Sequence, residues 1–156
     1  MTQPPSSIPV LLARINDSQV GLAALAVREI VRAVAIVPLP GAPDIVEGAI
    51  NLHGRIVPVV DVRRRLGLDA VALHPDQFLV SLDVGGRVIA VRVDDVEDVI
   101  ELSAAALESP ASVSPVLSGL QGVAATDAGA LIVYDVDAFL TQAEHDALSL
   151  TEAGVA

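Results

Sequence analysis

The three histidines are the residues best suited to acid–base or metal chemistry, and they lie far apart at His53, His74 and His145. Metal-binding histidines recur at short spacings such as H-x-H or H-E-x-x-H, and no pair here has one. A metal site would have to combine His74 and Asp76 with the distant acids at 94–101. The residues therefore predict no catalytic site, no metal site and no cofactor, and a metal-dependent enzyme stays a remote alternative.

Nucleophilic and phosphate-binding motifs are also missing from the sequence. The chain has no cysteine and no G-x-S-x-G motif, so neither a thiolate nor that type of serine nucleophile is available. All nine basic residues are arginines, and without lysine a Walker-type phosphate loop cannot form. Serines cluster between Ser109 and Val116 among prolines, which is typical of a loop. These absences favour a protein that binds over one that catalyses.

The charges of the chain exclude some partner classes and leave one question open. A formal net charge of −11 argues against nucleic acid or an anionic membrane as partner. Four arginines fall between Arg55 and Arg65, and five acids fall between Asp94 and Glu101. This asymmetry indicates either two solvated faces or a role in partner choice. The acidic run lacks the spacing of a calcium loop, so a solvated strand edge is the favoured interpretation.

The composition predicts a β-rich core and no membrane-spanning segment. The apolar fraction is 53%, with only two Phe, one Tyr and no Trp, so Val, Ile, Leu and Ala must supply the core. The β-branched residues among them fit the pleated surface of a sheet. The longest uncharged stretch, 109–126, contains Pro, Gly and Gln and is unsuited to a lipid-facing helix. The N-terminus lacks the features of a signal peptide, and we expect a cytoplasmic protein without membrane insertion.

Alternating apolar runs bounded by turn residues predict two β-hairpins. The first joins Leu11–Ile15 to Val20–Leu25 through Asn16-Asp17, and the second joins Phe78–Val84 to Arg87–Val93 through Gly85-Gly86. Gly-Gly supplies the positive φ angles of a primed two-residue turn. Half-buried strands in hairpins are therefore the main elements of the fold.

These hairpins belong to an internal repeat. With Leu11 placed on Val80, Glu29 falls on Asp98, and the segment 48–61 matches 122–135 without gaps. Two copies predict two similar small antiparallel barrels that share a core. Core positions are predicted in both, namely Val20, Leu22, Ile56 and Val59 in one barrel and Ile89, Val91, Leu131 and Val133 in the other.

The repeat also predicts the division of the chain. We expect a single domain at 9–148, between a flexible tail at 1–8 and a C-terminal tail at 149–156, and the repeat divides this domain in two. Within the domain, the two repeated subdomains cover about 9–70 and 77–136, and an exchange of strands between them is left open.

Three short segments have helical character. Asp61 to Gly67 allows one or two turns, and the segment from Ser103 to Glu108 begins with a plausible N-cap serine. The best helix runs from Asp137 to Ser149, with an apolar stripe that we expect to pack against the outside of the barrels.

The segment Gly48–Leu68, GAINLHGRIVPVVDVRRRLGL, is the most specific part of the sequence. Proline cannot donate to a ladder, so Pro58 within a V-P-V-V run marks an edge or a bulge. The segment resembles the CheW family of bacterial chemosensory coupling proteins, whose motif is close to G-x-x-N-L-R-G-x-I-V-P-V-x-D-L-R. The resemblance extends from about Pro9 to Leu148 and includes the signature V-x-E-I at 27–30.

The resemblance implies a fold and a function. The fold is all-β, with two SH3-like five-stranded β-barrels around a shared core and a C-terminal helix. The function is non-enzymatic coupling of the cytoplasmic tips of chemoreceptors to a CheA-type histidine kinase, at membrane-associated receptor arrays. Further copies of the protein are a third candidate partner. A coupler of another chemosensory pathway, serving pilus motility or development, is the alternative with the same fold.

The resemblance also implies partner-binding positions, which are Val27, Glu29, Ile30, Gly48, Asn51, His53, Gly54, Arg55 and Val96. His53 stands where the family usually has arginine, which puts the strength or identity of the receptor contact in question. Each position also has a structural alternative. Val27 and Ile30 suit a core, Gly48 suits a turn, and Asn51 suits a hydrogen bond within a turn.

Overall fold

The structure, a computed structural model of the chain, describes residues 7–103, 107–108, 120–126 and 129–155. Within these ranges most residues lie in strands, and two α-helices are present. The strands are β1 (Ser7–Ile15), β2 (Ser18–Ala23), β3 (Val27–Arg32), β4 (Val46–Leu52), β5 (Arg55–Val60), β6 (Phe78–Val84), β7 (Arg87–Val93), β8 (Asp95–Ser103), β9 (Leu107–Glu108), β10 (Leu120–Thr126) and β11 (Gly129–Tyr134). The helices are α1 (Val62–Arg65) and α2 (Gln142–Val155).

The strands form two sheets, which confirms the all-β prediction. The six-stranded sheet has the order β8-β1-β2-β11-β10-β9, and the five-stranded sheet has the order β3-β6-β7-β5-β4. Adjacent strands are antiparallel except for β2 with β11 and β5 with β7, which are parallel. The prediction of wholly antiparallel barrels was therefore wrong at these two pairs. Each parallel pair joins strands that are distant in the chain, because a tight hairpin can connect only antiparallel neighbours.

The internal repeat is visible in the pairing of the strands. Val59 of β5 pairs with Ala90 of β7, and the residues at the same repeat positions, Val133 of β11 and Gly21 of β2, also pair. Each sheet takes one hairpin, β1–β2 or β6–β7, from one half of the chain. The remaining strands of each sheet come from the other half of the chain, β8 to β11 in the six-stranded sheet and β3 to β5 in the five-stranded sheet. The two halves have thus exchanged strands.

The buried residues form one central cluster and a smaller cluster within each sheet. The central cluster draws on both sheets and on α2, and it includes Val20, Leu22, Ile89 and Val91. Val59 belongs to the cluster of the five-stranded sheet. Leu131 and Val133 belong to that of the six-stranded sheet. Burial of these residues is confirmed, but their assignment to separate barrels was wrong because the strands are exchanged.

Ile56 contradicts the predicted core, because 54% of its surface is exposed. From Val57 onward β5 is covered on both faces, since Val57 and Val59 join the cluster of the sheet and Val60 joins the central cluster. Ile56 lies next to the hairpin turn, beside an open cavity. The repeat assigned Ile56 to the core, but the cover over this face of β5 ends before Ile56.

Pro58 lies in β5, between β4 and β7, rather than in an edge strand of the sheet. It pairs with Ala49 of β4, and pairing with β7 begins only at Val59. On the side facing β7, Pro58 is therefore locally at an edge, where a missing N–H is tolerated. The register with β4 shifts a few residues away, between Val46 and Gly48.

The helical predictions were partly right. Asp61 caps α1 by accepting a hydrogen bond from the Arg64 N–H at 3.1 Å, as expected for a short helix there. At the second predicted helix, Ser103 ends β8 and Leu107–Glu108 form β9, and the residues between them, 104–106, lie outside the described residues. The third begins later than predicted, after a 3₁₀ turn at Val136–Phe139.

Ordered structure extends into both predicted tails. β1 already begins at Ser7, and α2 continues to Val155. The first hairpin ends earlier than predicted, because β2 stops at Ala23 and a 3₁₀ turn at Ala24–Ala26 leads into β3 of the other sheet. No helix among the described residues is long and apolar enough to cross a membrane.

Candidate partner-binding surface

The β4–β5 hairpin presents His53 at the tip of a two-residue turn. His53 and Gly54 both have positive φ, 54° and 84°, as a type I′ turn requires. The Asn51 Oδ1 atom accepts a hydrogen bond from the Gly54 N–H at 2.8 Å and closes the turn, which confirms the structural role considered for Asn51. The His53 side chain is 74% exposed. The turn therefore holds an imidazole in solvent at a fixed place.

Glu29 of β3 meets His53 at this tip. The His53 Nε2 atom lies 2.8 Å from Glu29 Oε1 and 2.9 Å from Oε2. The main chain of Glu29 is held in turn, because its carbonyl oxygen accepts a hydrogen bond from Ser81 Oγ at 3.2 Å. β3 and β4 are the opposite edges of the five-stranded sheet, so the contact joins two ends of the sheet. The structure thus brings together two residues that the sequence singled out separately.

A cavity of about 410 Å³ opens beside this contact, and we refer to it as the first cavity. Its polar lining residues are Arg28, Glu29, His53, Arg55 and Ser81, and Val57 and Val88 are among its apolar lining residues. Arg55 is exposed, and its guanidinium makes no hydrogen bond or ion pair with the described part of the chain. The arrangement is an apolar floor with charged groups at its rim, which suits a protein surface more than a small metabolite.

The remaining predicted positions are not all in this place. Ile30 of β3 is 39% exposed and so does not belong to the core. Val27 is half-buried and packs against the central cluster. Val96 packs against the same cluster but lies in β8, at the edge of the six-stranded sheet. The structure therefore gathers Glu29, His53 and Arg55, and leaves Val96 on a different sheet.

Gly48 is buried beneath the segment that follows β3. The bridge between Val37 and Ala49 holds this segment against β4, with main-chain hydrogen bonds of 2.9 and 2.8 Å. A Cβ atom on Gly48 would collide with the Val37 carbonyl oxygen and would lie 2.7 Å from Ile36 Cγ2. The position therefore needs glycine because the main chain approaches it closely.

A buried ionic network accounts for part of the charge asymmetry. The Arg63 side chain is 2% exposed, and its Nη2 atom lies 2.7 Å from Asp94 Oδ1. The same guanidinium donates to Asn16 Oδ1 at 2.8 Å and to the Arg92 carbonyl oxygen at 3.0 Å. Gln77 Nε2 also donates to Asp94, at 3.0 Å. Asp94 is therefore an internal anchor rather than a solvated edge residue.

The environment of Asp94 lowers its pKa. Burial alone would raise the pKa, but the hydrogen bond from Gln77, the charge of Arg63 and the Asn16 N–H together hold it below its usual value. Glu144 of α2 behaves in the same way. Burial would raise its pKa, but hydrogen bonding and charge from Arg65, with help from Thr141, lower it.

The residues of the remote metal-enzyme alternative do not come together. His74 Nδ1 lies 3.6 Å from Asp76 Oδ2 in an exposed segment, and Asp94 is engaged by Arg63. Among the described residues no group of three or more His, Cys, Asp or Glu side chains is arranged to hold a metal ion.

A second cavity, between the five-stranded sheet and α2, was not predicted from the sequence. Its residues Arg87, His145 and Ser149 belong to no motif. The only local sign was the apolar Ile56 next to a turn, and the repeat assigned that residue to the core.

Comparison with known proteins gives a consistent result. Residues 9–144 match the CheW-like domain family. Chemotaxis protein CheW of Rhizobium meliloti is 29% identical over 136 residues, which cover 86% of this chain and 88% of that protein. The protein of the same name from Klebsiella aerogenes is 28% identical over 136 residues, covering 86% and 82%. The crystal structure of the scaffolding protein TtCheW from Thermoanaerobacter tengcongensis superposes with a TM-score of 0.78 at 26% identity, over 92% of this chain and 94% of that one.

Proposed function

The chain belongs to the family of CheW-like domains, whose members serve chemotaxis as coupling scaffolds, and we propose that it holds a chemoreceptor and a CheA-type histidine kinase together without catalysing a reaction. The observation that carries the proposal is the contact of Glu29 with His53 at the rim of the first cavity. Both residues stand at positions that the resemblance assigns to partner binding.

The proposed receptor contact uses the first cavity. A helix of the receptor tip places apolar side chains over Val57 and Val88 and polar side chains against the rim. Glu29 offers one acid and His53 one imidazole there, and Arg28 and Arg55 offer two guanidinium groups, so the rim can distinguish partners by charge. An arginine at position 53 is permanently charged and has five donors, whereas His53 offers one donor or two. We therefore propose that this protein selects a receptor surface suited to imidazole.

The kinase is proposed to bind elsewhere, so that both partners are held at once. Val96, on the six-stranded sheet, is the candidate position for a contact away from the first cavity. Holding two partners on one scaffold raises the concentration of each near the other without any chemical step. Contacts with further copies of the protein would extend such an assembly at the receptor array in the cytoplasm.

The test is a binding experiment with the receptor tip fragment and the regulatory domain of the kinase, both from the same organism. We expect the protein to bind both fragments simultaneously in analytical ultracentrifugation. Glu29→Lys should weaken receptor binding by about tenfold or more, equivalent to about 1.4 kcal/mol, and should leave kinase binding unchanged.

Asp17→Lys provides the matched control, since Asp17 is an exposed acid in the β1–β2 turn, away from the cavity. Folding is monitored by circular dichroism, because a surface charge reversal changes stability by only about 0.5 kcal/mol. Failure of the wild-type protein to bind the receptor fragment, or unchanged binding of both partners by Glu29→Lys, would contradict the proposal.

A further inference from the structure

The second cavity lies between the β4–β5 hairpin, the β6–β7 turn and α2, and its volume is about 590 Å³. Ile56, Arg87 and His145 are among the residues that line it. Gly85 and Gly86 form the turn at one end, and neither has another group within 4 Å of the place where a Cβ would stand. The cavity is therefore an open groove with room at its end.

The second cavity is continuous with the first. Arg55, Val57 and Val88 line both. We call the combined space the extended groove. It begins at the Glu29–His53 contact, crosses the apolar floor of Val57 and Val88, and ends at α2. A ligand seated on the first cavity can therefore extend into the second without leaving the surface formed by these three residues.

Two arginines, one in β7 and one in α1, hold the wall formed by α2 in place. Arg87 Nη2 donates to Ser149 Oγ at 2.6 Å and approaches the His145 carbonyl oxygen at 3.5 Å. Arg65 pairs with Glu144 near the start of the helix. Leu148 is fully buried in the central cluster. The groove therefore has a fixed wall before any partner binds, which limits the entropy lost on binding.

The groove combines an exposed apolar side chain with positive charge. Ile56 is 54% exposed at its edge, although it lies in a strand whose following residues are buried. Arg55 is exposed beside it, without an acidic partner in the described part of the chain. Arg87 also lines the groove, but its guanidinium is engaged by α2, and Asp146 adds one carboxylate, so the preference for charge rests on Arg55. In a protein with a net charge of −11, such a site favours an acidic ligand locally.

We propose that the extended groove takes an acidic, aliphatic segment of the receptor, with α2 as its far wall and Arg55 and Ile56 as its central contacts. This inference rests on the proposed function and extends it, because it adds a surface and a charge preference to the receptor site. An aliphatic side chain of the segment covers Ile56, and a carboxylate faces Arg55. The guanidinium can bind a carboxylate through two parallel hydrogen bonds, which gives the contact direction.

The experiment measures the affinity of the receptor tip fragment by calorimetry at two salt concentrations. Arg55→Glu and Ile56→Ser should each weaken binding by about tenfold or more, as expected for central contacts. Arg55→Glu should also reduce the salt dependence, because it removes an attractive charge. A second fragment carries amides in place of its acidic residues. We expect its affinity for the wild-type protein to be as low as the affinity of the unmodified fragment for Arg55→Glu.

Two controls are matched to these variants. Arg64→Glu reverses another exposed arginine, and Val34→Ser truncates another exposed aliphatic residue, and neither position lines the groove. Both should bind within about twofold of the wild-type protein, since surface changes outside an interface have small effects.

The outcomes separate the two proposals. If Glu29→Lys weakens receptor binding while Arg55→Glu and Ile56→Ser behave like their controls, the extended groove is wrong and the proposed function stands. If the wild-type protein does not bind the receptor fragment, both fall. If Arg55→Glu or Ile56→Ser lowers the melting temperature, the milder variants Arg55→Gln and Ile56→Val replace them. Their receptor affinities are then compared with those of the same control variants.

Discussion

Gly48 shows how one residue can serve a partner site through the fold rather than by contact. The resemblance assigns this position to partner binding, whereas the structure buries it against the Val37 carbonyl group. The glycine lets the segment after β3 lie directly on β4, and Glu29 stands on the strand that leads into this segment. A larger side chain at position 48 would therefore disturb receptor binding by displacing its neighbours.

We predict that Gly48→Ala lowers the free energy of unfolding by about 1–3 kcal/mol, the usual cost of forcing extra atoms into a packed site. The measurement is urea denaturation followed by circular dichroism. Gly86→Ala is the control, since a Cβ there meets nothing within 4 Å and only the backbone conformation is penalised. A folded Gly48→Ala protein with wild-type stability and lost receptor binding would show instead that Gly48 contacts the partner directly.

At the scale of elements, Asp94 ties together segments that are far apart in the chain. It follows β7 and receives hydrogen bonds from the β1–β2 turn, from α1 and from Gln77 just before β6. Arg63, buried in α1, would be left without its carboxylate partner if Asp94 were neutral. Such a loss leaves a buried charge uncompensated, which costs more than the same change at the surface.

The pKa of Asp94 is lower in the folded protein than its ordinary value, so its contribution to stability is complete above the unfolded pKa, about 4. That contribution is lost as pH falls through the folded pKa. We predict that Asp94→Asn is less stable at pH 7 by about 1–3 kcal/mol. The difference in the free energy of unfolding between Asp94→Asn and the wild type should narrow below about pH 4, as the wild-type carboxylate becomes protonated.

Chemical denaturation at several pH values between neutrality and the acid range provides the measurement. Asp95→Asn is the control, because Asp95 is the next residue, is exposed and accepts a hydrogen bond from the neighbouring Val96 N–H at 2.9 Å. A gap between Asp94→Asn and the wild type that stays constant with pH would contradict the assigned role.

The hairpins could be predicted from the sequence, and their packing partners could not. Gly85-Gly86 marked the ends of β6 and β7 to the residue, because positive φ angles, 58° and 87° here, are rare outside glycine. By contrast, nothing local indicates that β7 lies beside β5, since a pair distant in the chain leaves no signal in either strand. The exposure of Ile56 was missed for the same reason. The continuous apolar run of β5 identifies a strand but not the extent of its cover.

The candidate site was predictable in its parts. The resemblance named Glu29 and His53 separately, but their contact depends on the curvature that brings the two edges of one sheet together. The turn at His53-Gly54 followed from Gly54 and from Asn51, whose side chain closes it. The second cavity could not be predicted, because it requires the position of α2 relative to the sheet.

At the scale of the whole molecule, neither sheet can form from one half of the chain. The five-stranded sheet needs β3, β4 and β5 from the first half and β6 and β7 from the second. The six-stranded sheet needs β1 and β2 from the first half. The central cluster likewise contains side chains from both halves, such as Leu22 and Val91. We therefore expect the molecule to unfold as one cooperative unit despite its two sheets.

We predict that fragments 1–72 and 73–156 are each unfolded alone and fold when mixed. The cut falls in the exposed segment between α1 and β6. Circular dichroism and NMR of each fragment and of the mixture provide the measurement. The intact chain with a protease site inserted after residue 72, left uncut, controls for the insertion. A cooperative unfolding transition in either fragment alone would contradict the prediction.

The exchange of strands also constrains how the two halves can diverge. In most duplicated proteins each copy keeps its own core, so one copy can accumulate substitutions while the other stays unchanged. Here β2 rests against β11 and β5 against β7, so every change at these seams must suit a strand from the other copy. Recombination that replaced one half with that of a relative would introduce foreign strands into both sheets at once. Substitutions at these seams are therefore coupled between the two copies, so a binding surface that reaches a seam can change only within what the other copy tolerates.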